Sequence, residues 1–132
     1  MASIFSKIIK GEIPCYKIAE NEEFFSFLDI NPIAEGHTLV IPKKETDYIF
    51  DLSDESLQGL ISFSKRIAKA IDQSLGTIRT GIIVEGLEVP HAHVHLIPIY
   101  FEGQPVSLGR KTDVSESRMK ELASLISNAV EL

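Results

Sequence analysis

Val89-Pro90-His91-Ala92-His93-Val94-His95-Leu96-Ile97-Pro98 decides how this chain is built, because three of its four histidines stand there at every second position. A strand turns successive side chains to opposite faces. The spacing therefore predicts a row of His91, His93 and His95 on one side and a row of Ala92, Val94 and Leu96 on the other. The apolar row suits a core and the imidazole row a cleft. Imidazole can attack, shuttle protons or ligate a metal near neutral pH, so these three residues head the candidate site.

Working outward, Ile78 to Val84 reads as a second strand, joined to a His91–Ile99 strand by the turn around Gly86. His37-Thr38-Leu39-Val40-Ile41, β-branched and aliphatic between Gly36 and Pro42, reads as a buried strand. Cys15 to Glu20 and Glu23 to Leu28 flank Asn21-Glu22 as a hairpin, and Asp29-Ile30-Asn31-Pro32 is a turn sequence. Ser3 to Ile9 has the spacing of a short helix. From Ser53 the period becomes helical: Leu57, Leu60, Ile61, Ile67, Ala68, Ile71 and Leu75 share a face, Ser53 caps, and Gly76 closes the helix. A last helix starts near Ser115, with Met119, Leu122, Ala123, Ile126 and Val130 as its apolar stripe. Residues 101–112, with Gly103, Pro105 and Gly109, read as a loop of the kind that covers a cleft. Short adjacent strands with long helices predict an α+β fold, an antiparallel sheet backed by helices with the histidine strand inside it.

At 132 residues and 44% hydrophobic content, the chain is expected to be a single domain, residues 1–132, with a real core. Cys15 is the only cysteine, which rules out an internal disulfide and suits a reducing compartment. No leader, membrane-length apolar run or lipidation signal is apparent, so the expectation is a soluble cytoplasmic protein with no membrane partner. The formal charge of −6 argues against a nucleic-acid partner, which would require a basic footprint. It leaves small nucleotides open.

Three readings compete for the histidines. Zinc would need further ligands from Cys15, His37 or carboxylates that show no recognisable spacing, so no metal is expected. Plain packing would have to find partners for the nitrogens of three imidazoles in register. Nucleophilic use needs only that one ring nitrogen be held so that the other can attack an electrophilic phosphorus, with neighbouring donors stabilising the charge that develops. His93, with a histidine on either side, is the best placed.

With His-x-His-x-His followed by an aliphatic pair and Pro98, the chain resembles the histidine triad (HIT) family of nucleotide hydrolases and transferases. Ile4-Phe5-Ser6-Lys7-Ile8-Ile9-Lys10-Gly11-Glu12-Ile13-Pro14, Phe27-Leu28-Asp29-Ile30-Asn31-Pro32 and Gly36-His37-Thr38-Leu39-Val40-Ile41-Pro42-Lys43 resemble the family's other signatures, in the same order. The resemblance implies a five-stranded antiparallel sheet with a long helix and a C-terminal helix, in a homodimer whose sheets join. It implies cleavage at the α-phosphate of a purine nucleotide through a nucleotidyl-histidine intermediate, without a cofactor. His93 would be the nucleophile, with His91 and His95 orienting the phosphate and assisting the leaving group. Asp29 would grip the ribose hydroxyls, and Ile4, Phe5, Ile8, Phe27 and Ile30 would wall the base.

Two departures stand out. Many bacterial relatives bind a structural zinc through a Cys-x-x-Cys, a later histidine and the first triad histidine; the matching positions here are Ser3, Ser6 and Glu45, so the zinc site is expected to be lost. Where the family often has Gly-Gln-Ser/Thr before the triad, this chain has Gly86-Leu87-Glu88, and Glu88 becomes the candidate acid for the leaving group. His37 reads as structural. A nucleotide-binding sensor with little or no catalysis is the alternative function.

Overall fold

Strand residues two apart point to the same face, and this fold is assembled by covering both faces of one sheet. The computed structural model describes residues 2–132, so Met1 of the expected 1–132 domain lies outside the described residues. Strands β1 (Lys17–Glu20), β2 (Phe24–Leu28), β3 (Thr38–Pro42), β4 (Arg79–Ile83) and β5 (Val94–Ile99) form a single antiparallel sheet in the order β1-β2-β3-β5-β4. Around it lie helices α1 (Ile4–Ile9), α2 (Asp54–Leu75) and α3 (Glu116–Ala129). The architecture is the expected α+β one, with the histidine strand interior.

Phe24, Leu28, Val40, Val94 and Leu96 turn to one face, where Leu60, Phe63, Ile67 and Ile71 of α2 and Met119, Leu122 and Ile126 of α3 bury them. Phe25, Phe27, Leu39 and Ile41 turn to the other, where Phe5, Ile8 and Ile9 of α1 cover them. Local signals set the helix ends. Ser53 Oγ accepts the Ser56 N–H at 3.1 Å, Asp54 and Glu55 sit in the first turn, and Gly76 ends α2 at φ 65°. Ser115 caps α3 in the same way, through the Arg118 N–H at 3.1 Å. No helix among the described residues is long and apolar enough to cross a membrane.

One element departs from expectation. The strand read as His91–Ile99 begins only at Val94, because the backbone before it bonds elsewhere. The His91 N–H turns back to the Val89 carbonyl at 2.8 Å and the Ala92 N–H goes to the Thr46 carbonyl at 2.6 Å. Ladder pairing with β3 starts with Val40 opposite Val94. The alternation of faces nevertheless persists through the irregular segment, since Ala92 joins Val94 and Leu96 in the α2/α3 core.

Candidate active site

Helix α1 and the turn after β2 supply the wall that the histidines face. A cavity of about 170 Å³ is lined by Ile4, Phe5, Ile8, Phe27, Asp29 and Ile30, together with Glu88, His93 and His95. All six expected nucleotide-site residues are thus brought together with two of the three triad imidazoles. Phe5 sets its ring edge-on to Phe27 at 5.5 Å and to His93 at 5.1 Å between centroids. A larger hollow of about 580 Å³ lies beside Ile33, Tyr100 and Phe101, but no imidazole faces it, so volume alone does not locate the chemistry.

His91 is not among the lining residues. Its ring is wholly buried behind the wall, with Nε2 at 2.7 Å from the Pro42 carbonyl and Nδ1 at 2.8 Å from Ser3 Oγ. Both nitrogens are spent on the protein. The expected direct role of His91 in orienting the phosphate is therefore not what the geometry offers; what reaches the site from His91 is its carbonyl.

Neighbouring groups fix which nitrogen carries each proton. The His91 carbonyl can only accept, so His93 Nδ1, 2.7 Å away, donates, and in the neutral ring the lone pair is on Nε2. The Ile33 N–H donates to His37 Nδ1 at 3.1 Å, so neutral His37 holds its proton on Nε2 and gives it to His95 Nδ1 at 2.9 Å. Neutral His95 is left with a proton on Nε2. Burial, with the nearby His37 and His93 rings adding to it, pushes His95 down to about 4, and burial does the same to His37. Both rings are uncharged at neutral pH. Burial likewise lowers His91, against the opposing pull of the Pro42 carbonyl and Glu45.

His37, read from sequence as structural, fixes the tautomer of a ring that lines the cavity, a contact that the sequence reading did not include. Asp29 completes the group, with Oδ2 at 3.5 Å from His37 Nε2 and 3.9 Å from His95 Nδ1, while its Oδ1 accepts the Asn31 N–H at 2.8 Å. Asp29, His37 and His95 lie close enough to hold a metal ion in principle. The proton pattern opposes it. Metallation of His37 at Nε2 would move its proton to Nδ1, against the Ile33 N–H.

A second cavity of about 400 Å³ meets the first at Asp29, Asn31, Glu88 and His95, and its far wall is Leu108, Gly109 and Lys111. Residues 101–112 thus do border the cleft, tied down where the Thr112 N–H meets the Pro32 carbonyl at 2.7 Å. Glu88 is exposed and lines both cavities.

A HIT domain model matches residues 10–102. The chain belongs to the HIT domain family. An adenosine 5'-monophosphoramidase of Schizosaccharomyces pombe is 36% identical over 132 residues, covering 98% of this chain and 99% of that protein. Among solved structures, a HIT-like protein of Bartonella henselae superposes with a TM-score of 0.84 at 32% identity, covering 97% of this chain and 96% of that one. A zinc-bound histidine triad family protein of Mycobacterium smegmatis superposes at 0.82 with 32% identity, covering 98% and 93%. The Schizosaccharomyces pombe relative and one of Saccharomyces cerevisiae, 43% identical over 98 residues that cover 74% of this chain and 62% of that protein, both carry the name adenosine 5'-monophosphoramidase.

Zinc does not fit the HIT domain's cluster of Ser3, Ser6, Glu45 and His91. Structural zinc takes thiolates and imidazoles, and here the two hydroxyls are already committed, Ser3 Oγ to His91 Nδ1 and Ser6 Oγ to Glu45 at 2.6 Å.

Proposed function

We propose that the protein cleaves a purine, adenosine-type nucleoside phosphoramidate, ester or anhydride at its α-phosphate through a nucleotidyl intermediate on His93. The observation that carries this reading is the bond from His93 Nδ1–H to the His91 carbonyl, which in the neutral ring puts the lone pair on Nε2, in a side chain that lines the cavity. His93 Nε2 attacks phosphorus and the bond to the leaving group breaks, with its electron pair departing on nitrogen or oxygen. Water then attacks phosphorus, the N–P bond breaks, and nucleoside monophosphate leaves with His93 restored. His95 offers its Nε2–H to a phosphoryl oxygen or the leaving group, a donor set in advance by His37. His91 acts behind His93 through its carbonyl. Asp29 takes the ribose hydroxyls, the α1 and β2 side chains take the base, and Glu88 faces the leaving group from the junction of the two cavities. The active unit is a homodimer formed along the free edge of β4, the end strand of the sheet.

Incubation with an amine phosphoramidate of adenosine monophosphate, followed by acid quench and mass spectrometry, tests the reading. The native protein is expected to turn over and to carry an adenylyl group on His93, and His93→Ala to do neither. Equal turnover by the two would overturn it. Tight nucleotide binding with no adduct on His93 would favour the sensor alternative.

A further inference from the structure

We infer that Glu45 is a positioning residue for the chemistry at His93: with Ser3 and Ser6 it forms a metal-free clasp that fixes the His91 ring and, through the His91 carbonyl, the orientation of His93. The inference rests on the proposed role of His93 as nucleophile. Glu45 Oε1 accepts the Ser3 backbone N–H at 2.7 Å and the Ser6 hydroxyl at 2.6 Å. Ser3 Oγ accepts the Ser6 N–H at 3.0 Å and donates to His91 Nδ1 at 2.8 Å. The Pro42 carbonyl takes the opposite side of that ring. With both nitrogens bonded, the His91 ring cannot turn, and its carbonyl stays where His93 Nδ1–H needs it.

The same dipeptide grips the site twice. Glu45 holds the N-terminus of α1 by its side chain, and the Thr46 carbonyl holds Ala92 N–H at 2.6 Å, between His91 and His93. Helix α1 in turn sets Phe5 against His93. Without the carboxylate, the Ser3 N–H loses its acceptor and the Ser6 hydroxyl, 3.5 Å from His91 Nδ1, competes with Ser3 for that nitrogen. A charged acceptor makes the choice one-sided, since hydrogen bonds to an ionised oxygen are the stronger ones. The Ser6 hydroxyl and the Ser3 N–H hold the Glu45 carboxyl down to about 2.

The test uses the whole chain with Glu45→Ala and Glu45→Gln. The first is expected to lower the rate of His93 adenylylation about tenfold, as a small misplacement of a reacting group does, with affinity for adenosine monophosphate changed less than twofold. Long-range proton–nitrogen spectra should show the His93 and His91 ring signals moving toward mixed tautomers. Glu45→Gln, whose amide oxygen still accepts, should restore most of the rate. The spectra are taken on folded protein below its melting temperature, so a loss of stability does not mimic the effect. Adenylylation at the native rate in Glu45→Ala, with both rings unmoved, would overturn the clasp while leaving the nucleophile reading intact. Native turnover by His93→Ala would instead overturn that reading, and the clasp with it.

Discussion

Four imidazoles sit within this site's hydrogen-bond network, and backbone groups fix the tautomer of three of them in the neutral state, with His37 fixing that of His95. The consequence is a specific dependence of stability on acidity. His37 and His95 are held at about 4, chiefly by burial, and His91 is lowered as well, whereas in the unfolded chain each ring titrates near its ordinary value of about 6.5. Between those limits the unfolded chain binds more protons than the native one. Stability should therefore be full above about pH 6.5 and fall as pH drops toward about 4, by up to about 1.4 kcal/mol per pH unit for each of His37 and His95, with His91 acting in the same direction. Urea midpoints at about pH 7.5, 6 and 5 check this, and a midpoint that holds steady across the series would contradict it. The placing of His93 in one row with His95 was legible in the spacing of the triad. The bond from His37 to His95 was not, because it depends on the β3–β5 register, Leu39 opposite His95, which places 37 and 95 diagonally on one face. The burial of His91 depends on Ser3, nearly ninety positions away in the sequence.

Elements whose ends are set by neighbours in sequence were readable, and those set by distant carbonyls were not. The Ser53 cap and the Gly76 stop of α2 fall where the sequence puts them, because both act within one turn. The late start of β5 has its cause in Val89 and Thr46, and no local pattern in His91-Ala92-His93 carries that information. Gly36, just before β3, combines both kinds of constraint. Its φ of +87° favours glycine, and a Cβ there would stand 2.5 Å from Leu75 Cδ1 and 3.3 Å from Pro98 Cγ. Gly36→Ala is thus expected to destabilise by about 1–3 kcal/mol from backbone strain alone, with further loss if Leu75 cannot move aside. Because the same turn leads into His37, whose N–H bonds the Ala34 carbonyl at 3.1 Å, the variant should also lower turnover. Thermal melts and adenylylation rates on one preparation measure both effects, and a native melting temperature would refute the steric argument.

The two edges of the sheet are not alike, and the difference bears on how copies of the chain assemble. β1 is four residues long, with a register irregularity between Lys17 and Ala19 and an ion pair between Lys17 and Glu20, the features that guard an edge against pairing. β4 has no such guard. Ile78, Ile82 and Val84 share a face by parity and are 57%, 53% and 38% exposed, on the side of the sheet that α2 occupies. A two-fold axis through the β4 edge would pair the strand with its own copy, backbone to backbone, and bury that apolar row against the same row of the second chain. Ile82 lies nearest the middle of the row, so a charge there should act against pairing without touching the cavity, whose wall contains no β4 residue. Sedimentation of the native protein is expected to give a dimer, and Ile82→Lys a folded monomer with an unchanged circular dichroism spectrum. A native monomer at micromolar concentration, or a dimer that survives Ile82→Lys, would place the contact elsewhere on the molecule.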